Sequence, residues 1–445
     1  MSLDLSAKFT INSPMNQDVR CVQKFGELVM PYIASSTKAE MLACRETAWL
    51  GVSLNQTPVY DIKGPDAAKL LNRVCVNRDY SKLKMGGSRH ALMCNIKGQL
   101  LADGLIIRTG EETFRSYWLA PVLDYYVQSQ GMDVTGAYIQ DEYFYQIDGP
   151  KSLEIMEAVC QCDLHDIKFA GKRVVQVKGT EMTIVRLGMS GCLGYEVHGA
   201  IEHADMIFAT IKEVGQDFGL KCLGNKNYTF NHTQGGYPNQ FIHYWYPFFT
   251  TDTGMAAFFK DMPVYSNKVF AGSGNDDEEN YFVTPYDIGW DYLINWEHDF
   301  IGKDALEMIG KNPPNTVVTL EWNADDVGQV FASQFKGTDV EPYEAIEEPG
   351  DTVDLPRFIV SKVLLDGKVV GRASGRVHDY YHRKEISLAF ISKELAVEGK
   401  ELLVLWGTNG GPQKEIRAKV ARFPYYNEEM RNETFDVEKI PHPKY

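Results

Sequence analysis

The sequence predicts an α+β protein, with two related α+β lobes followed by an all-β domain. Three observations support this. First, a strand, a Gly-Pro turn and a helix follow one another over residues 59–75, and the same unit returns over 145–160. Tyr, Ile, Gly-Pro, the apolar helix positions and a final Val-Cys recur, with Tyr145 lying 85 residues after Tyr60. Repetition at that distance indicates duplicated lobes; a solenoid has a shorter period. Second, from about residue 315 the chain becomes a series of short strand-like runs with turn residues between them. Third, 445 residues exceed one typical core, and 44% hydrophobic with 24% charged is a globular composition.

In order, residues 1–44 read as an N-terminal arm with a short helix near 22–29, and 41–50 as a second helical stretch. In the first repeated unit the strand ends at Gly64. Pro65 suits a first helical turn, where no N–H is lost. Ala67, Leu70, Leu71 and Val74 then recur at helical spacing. Strands are expected over 88–95 and 99–108. The second places Asp103 in an apolar run, where a carboxylate is costly to bury without a partner. A strand over 114–120 and a helix from Val122 lead to the second unit.

Arg186-Leu-Gly-Met-Ser-Gly-Cys-Leu-Gly-Tyr-Glu196-Val-His-Gly199 has three glycines before a strand-like stretch. Such density permits sharp turns or close approach to a flat ligand, and the strand holds Glu196 as a fixed acceptor. A helix over 202–218 stops at Gly219. Residues 224–284 break the pattern and are rich in aromatics, as expected of an irregular wall or lid over a site. The acidic run 274–280 lacks calcium-loop spacing and reads as a solvated loop. Residues 300–309 echo the repeated unit weakly. Residues 313–445 form the β domain, with an Asp366-Gly367 hairpin turn and a surface excursion over 337–356.

A net charge of −15 disfavours nucleic acid and anionic membranes as partners. No apolar run approaches the ~18 residues of a membrane span, and the N-terminus has no secretory core. The eight cysteines include no C-x-x-C pair, so reduced thiols in a cytoplasmic protein are expected. The 24 Tyr and 22 Phe supply flat apolar surfaces, many with a polar tip.

Six short pieces in order resemble the glycine-cleavage T-protein (aminomethyltransferase) family. They are Ile62-Lys-Gly-Pro-Asp-Ala, Gly98-Gln-Leu-Leu-Ala-Asp103, Gly188-Met-Ser-Gly-Cys-Leu-Gly-Tyr-Glu196, Thr284-Pro-Tyr-Asp-Ile-Gly289, Phe300-Ile-Gly-Lys-Asp-Ala-Leu306 and Gly371-Arg-Ala-Ser-Gly375. Longer stretches, such as Thr319-Leu-Glu-Trp-Asn-Ala-Asp-Asp326 and Leu403-Val-Leu-Trp-Gly407, are most similar to the tetrahydrofolate-dependent aryl O-demethylases of the vanillate and 3-O-methylgallate type.

The resemblance implies a three-lobed fold, with residues 45–312 forming two interleaved folate-binding lobes around tetrahydrofolate. It assigns Glu196 to the pterin, whose ring N–H and exocyclic amine are two parallel donors that one carboxylate accepts together. Tyr237 and Met189 are assigned with it to the cofactor. Tyr228, in Gly224-Asn-Lys-Asn-Tyr228, inherits the catalytic role, with Asp103 orienting the attacking amine or accepting its proton. Gln56, Leu119, Tyr244 and Trp245 are the substrate-side candidates.

Four positions depart from those demethylases. Asn55-Gln56 replaces a His-His pair, Leu119 replaces a carboxylate-binding Arg, and Tyr237 replaces a Trp. The methyl donor is therefore open. Methyl transfer from a methoxylated aromatic to give 5-methyltetrahydrofolate needs a group at the leaving oxygen, and Tyr228 suits that role. A methylated amine or sulfonium donor needs none, and an aromatic wall at Tyr244-Trp245-Tyr246 would suit it. A folate-binding protein without transfer chemistry is the third alternative.

Overall fold

The computed structural model describes residues 12–25, 28–51, 59–346, 357–428 and 430–444. The first lobe is a five-stranded antiparallel sheet in the order Ser88–Cys94, Leu100–Arg108, Thr113–Tyr117, Val59–Lys63, Thr135–Ile139. Helices Ala67–Val74 and Val122–Ser129 close one face through Leu70, Leu71, Val74 and Leu123, all buried against Ile62 and Phe114.

The second lobe repeats the plan with six strands, in the order Lys172–Val177, Thr180–Val185, Gly194–Ala200, Glu142–Asp148, Trp49–Gly51, Lys221–Cys222. All its pairings are antiparallel except the last. Helices Ser152–Cys160 and Ala204–Gly215 cover it. Trp49–Gly51 precedes the first lobe in the chain yet pairs into the second, so the lobes are interleaved. Gly64 and Gly149 both take positive φ at the end of the repeated strand.

The third lobe is a closed six-stranded barrel: Asn315–Trp322, Lys384–Ser392, Lys368–Asp379, Ser361–Leu365, Glu401–Trp406, Lys414–Ala421. Leu320, Val363, Val404, Trp406 and Ile416 fill its core. Asp366 and Gly367 both have positive φ, as the short hairpin requires. No helix among the described residues is long and apolar enough to cross a membrane.

Several expectations are corrected. The described residues of the 22–29 stretch are strand, Cys21–Phe25 pairing antiparallel with Leu28–Ile33, because strand pairing satisfies their backbone. The 41–50 stretch splits into helix Thr37–Glu46 and strand Trp49–Gly51. The echo at 300–309 keeps a helix, Lys303–Gly310, after a positive-φ Gly302, but no strand precedes it. Within 224–284, helix Asn225–Gly235 replaces the expected irregular chain. Residues 229–235 of that helix are all buried, so it shows no polar face and no amphipathic period.

Candidate active site

The strand Gly194–Ala200 alternates cleanly. Tyr195 and Val197 enter the lobe core, so by the two-residue period Gly194, Glu196 and His198 face the other way. The register sets them beside Asp148, Gln146 and Phe144 of the neighbouring strand. This face is a polar stripe bordered by the first lobe. Glu196 is buried (7% exposed), and its nearest cationic group is His198 Nε2 at 3.7 Å, outside hydrogen-bond reach. Its carboxylate oxygens therefore remain open to donors.

His198 lies between two carboxylates, with Nδ1 3.5 Å from Glu142. Burial lowers its pKa, but Glu142 and Glu196 outweigh this and hold it above the ordinary imidazole value. Burial raises the Glu142 carboxyl, but His198, Arg115 and Tyr117 outweigh this, so it lies below its usual range.

From the first lobe comes Asp103, in the middle of its strand and 6% exposed. Its cost of burial is met by two donors: the Tyr244 hydroxyl at 2.9 Å and His90 Nε2 at 3.2 Å. The Tyr237 hydroxyl is 3.2 Å from the same His90 nitrogen, and the Tyr237 ring packs on Trp290 at 5.1 Å.

Tyr228 sits in the first turn of helix Asn225–Gly235. That turn is held by buried Glu40, which accepts from Gly224 N at 2.8 Å and Asn227 Nδ2 at 3.0 Å. Burial raises the Tyr228 pKa well above its ordinary value, and Glu196, Asp148 and Asp103 add to the shift. The same tyrosine thus feels carboxylates from both lobes. Met189 packs into the cluster that Tyr228 joins, and His232 lies 5.1 Å from the Tyr228 ring. Burial lowers the His232 pKa to about 4, so it is neutral.

The glycine-rich run is braced from the C-terminus. Buried Arg186 donates to Asn432 Oδ1 at 3.1 Å and to Phe435 O at 2.7 Å, and Asn432 Nδ2 donates to Gly194 O at 3.0 Å. Gly191, at positive φ, makes the turn.

The structure thus gathers Glu196, Tyr228, Tyr237, Met189 and Asp103. It does not gather the rest. Leu119 is wholly buried in the first-lobe core and offers no surface, because it packs beneath the sheet with Leu123 and Phe114. Tyr244 stands behind Asp103 as its hydrogen-bond donor. Trp245 is 5% exposed and packs among Phe241, Tyr246 and Phe358. The segment Tyr244-Trp245-Tyr246 is therefore core, not a wall able to hold a cation. Gln56 and Asn55 lie outside the described residues. The sequence reading missed His198, Glu142, His90 and Glu40. Only His198 left a signal, being two residues beyond Glu196 on one strand and so on its face.

Two clefts, of about 1120 Å³ at the barrel mouth and 670 Å³ beside Tyr126 and Phe300, contain none of these residues. The chemistry concentrates instead where the lobes meet. A reduced pterin fits that place: a buried carboxylate with open acceptors faces aromatic side chains and a methionine, matching a flat group with two parallel donors.

The model of the GCVT N-terminal domain matches residues 16–239. Sesamin methylene transferase of Sinomonas sp. (strain No.22) is 45% identical, over 91% of this chain and 92% of that protein. Syringate O-demethylase of Sphingobium sp. (strain NBRC 103272 / SYK-6) is 27% identical, over 82% and 83%. The glycine cleavage system aminomethyltransferase T from Bartonella henselae superposes with a TM-score of 0.64 at 17% identity, over 94% of this chain and 98% of that one. With its two α+β lobes, its barrel and these relatives, the chain belongs to the GCVT (aminomethyltransferase) family and is a tetrahydrofolate-dependent one-carbon transferase.

Proposed function

We propose that this enzyme takes a one-carbon unit from an ether oxygen of an uncharged aromatic compound and passes it to tetrahydrofolate. The observation that carries this is Tyr228: a half-buried phenol beside Met189, kept protonated by desolvation and by the carboxyls of Glu196, Asp148 and Asp103. Such a group serves a substrate whose departing atom is an oxygen that gains negative charge. Because its pKa lies above that of an ordinary phenol (about 10), full proton transfer to a phenolate runs uphill. Tyr228 therefore acts as a hydrogen-bond donor that stabilises the developing charge.

Glu196 holds the pterin edge, and Tyr237 and Met189 contact its faces. Asp103, fixed by Tyr244 and His90, orients the attacking amine. When bound, tetrahydrofolate supplies the nucleophilic nitrogen that accepts the carbon. The carbon keeps its oxidation level, and each C–O bond broken is matched by a C–N bond formed and by an amine proton that ends on the released aromatic oxygen, one for a methyl and two for a methylene, so no oxidant is called for.

An uncharged donor is supported by the cations near the site. Arg115 is committed to Asp61 and Glu142, and Arg186 to Asn432 and Phe435. The carbon leaves either as a methyl from a methoxy group or as a methylene bridging two oxygens. The greater likeness to the sesamin methylene transferase favours methylene.

The test is anaerobic incubation with tetrahydrofolate and separate methylenedioxy-arenes, methoxy-arenes, methylated amines and sulfonium compounds. Products are identified by mass. Methylenetetrahydrofolate with a catechol is expected. Methyltetrahydrofolate with a phenol supports methyl transfer instead. Turnover of amines or sulfonium compounds alone overturns the ether reading.

A further inference from the structure

Glu196 begins a file of alternating charge that crosses from the second lobe into the first. His198 Nε2 is 3.7 Å from Glu196 Oε2, and His198 Nδ1 is 3.5 Å from Glu142 Oε1. Glu142 Oε2 accepts from Arg115 Nη1 at 3.2 Å, and Arg115 holds Asp61 through two bonds of 2.7 and 2.9 Å. His198 and Glu142 are buried or nearly so, on adjacent strands of the second lobe. Arg115 and Asp61 are cross-strand partners in the first.

We propose that His198 is a positioning residue for folate: an imidazolium that keeps Glu196 ionised and aimed at the pterin, its own charge anchored by Glu142 and, through it, by the first lobe. This rests on Glu196 as the pterin ligand.

The geometry argues for a cation and against a neutral spacer. The imidazole packs on the Phe144 ring at 3.8 Å, tilted by 34°, and meets the edge of Tyr117 at 5.7 Å, which confines the ring. A carboxylate lies near each nitrogen, Glu142 at 3.5 Å and Glu196 at 3.7 Å, and carboxylates only accept. A neutral ring carries one N–H and leaves its other nitrogen lone pair facing a carboxylate. The doubly protonated ring presents a donor to each. The groups facing His198 are Glu196 on its own strand, Glu142 on the neighbouring strand, and Tyr117 with Arg115 beyond it on the first-lobe strand. Tyr117 donates to Glu142 at 3.1 Å and Arg115 neutralises it, so Glu142 stays an anion and the file stays ordered.

A buried carboxylate that must accept two pterin donors as an anion needs a compensating charge nearby. Gln146, its cross-strand neighbour, is neutral and turned to Asp148. Asp148 adds a third carboxyl to the same face. His198 is the cationic side chain on that stripe.

The test uses the full-length protein and reduced folate under anaerobic conditions, with binding measured from about pH 6 to 9. Wild-type affinity should be highest while His198 is charged and should fall as pH rises through its titration. His198→Gln, similar in size but never charged, should bind about tenfold more weakly at pH 7. That variant should lose the pH-dependent limb and show a higher KM for tetrahydrofolate with a smaller change in kcat. Unchanged affinity and an unchanged pH profile in His198→Gln overturn the proposal.

The His198 titration, followed by NMR in wild type and Glu196→Gln, separates the two readings. A downward shift in Glu196→Gln with folate affinity intact keeps the His198–Glu196 coupling but removes Glu196 as the pterin ligand, and the positioning role with it. A shift together with lost affinity supports both.

Discussion

Gly194 stands opposite Asp148, and a Cβ on Gly194 would lie 2.0 Å from Asp148 Oδ1. Gly188 approaches the same carboxyl: a Cβ there would lie 2.9 Å from Oδ1. Two of the three glycines in the run before Glu196 thus make room for a buried carboxyl, and Gly191 makes the turn. The density of glycine is explained by the protein's own packing as much as by a ligand.

Gly194→Ala should therefore cost stability. Asp148 is wholly buried and pinned by Gln146 Nε2 at 3.1 and 3.2 Å, so it has little room to retreat. A loss of about 2–4 kcal/mol is expected in urea unfolding. Weaker folate binding should accompany it, because Glu196 lies two residues along the same strand.

Asp148 also makes stability depend on pH. Burial pushes its pKa up to about 8, against which Ser190 and Gln146 act only in part. In the unfolded chain an aspartate loses its proton near pH 4. Between these values the folded state binds the extra proton, so its contribution is full below about pH 4 and is lost as pH rises toward 8. Asp148→Asn should remove that slope and raise Tm at pH 8 more than at pH 5, as thermal scans at both values will show.

Tyr228→Phe keeps the ring and removes the donor. Folate affinity should stay within about twofold, while kcat should fall by about 10²-fold. Full turnover in the variant would exclude a role at the leaving oxygen.

Glu40 accepts four hydrogen bonds, from Ala34 N, Ser35 N, Gly224 N and Asn227 Nδ2. It ties the N-terminal segment to the helix that carries Tyr228. Glu40→Ala should destabilise the protein by about 3 kcal/mol and lower kcat, since Tyr228 loses its anchored turn. Chemical denaturation paired with steady-state kinetics measures both.

Much of the fold was legible because it is local. The repeated Gly-Pro turns, the alternation around Glu196 and the Asp366-Gly367 hairpin are set by torsional preference and by a side-chain period of two or 3.6. The helix bearing Tyr228 was not legible: with its later residues buried all round, no polar stripe marks it. The resemblance puts Leu119, and the aromatic run 244–246 puts Trp245, on the substrate side; packing puts both in the first-lobe core.

What the sequence by itself determined was the family pattern and the duplicated lobes, and it nominated Glu196, Tyr228 and Asp103 as candidates. Only the tertiary structure decided that His90 and Tyr244 hold Asp103, that His198 joins Glu196 to Glu142, and that Asn432 braces Gly194 from 238 residues away. Apart from the His198–Glu196 pair, which strand periodicity sets on one face, those contacts join separate strands, different lobes or distant segments. They exist only once each lobe has buried its apolar face and the remaining polar faces meet.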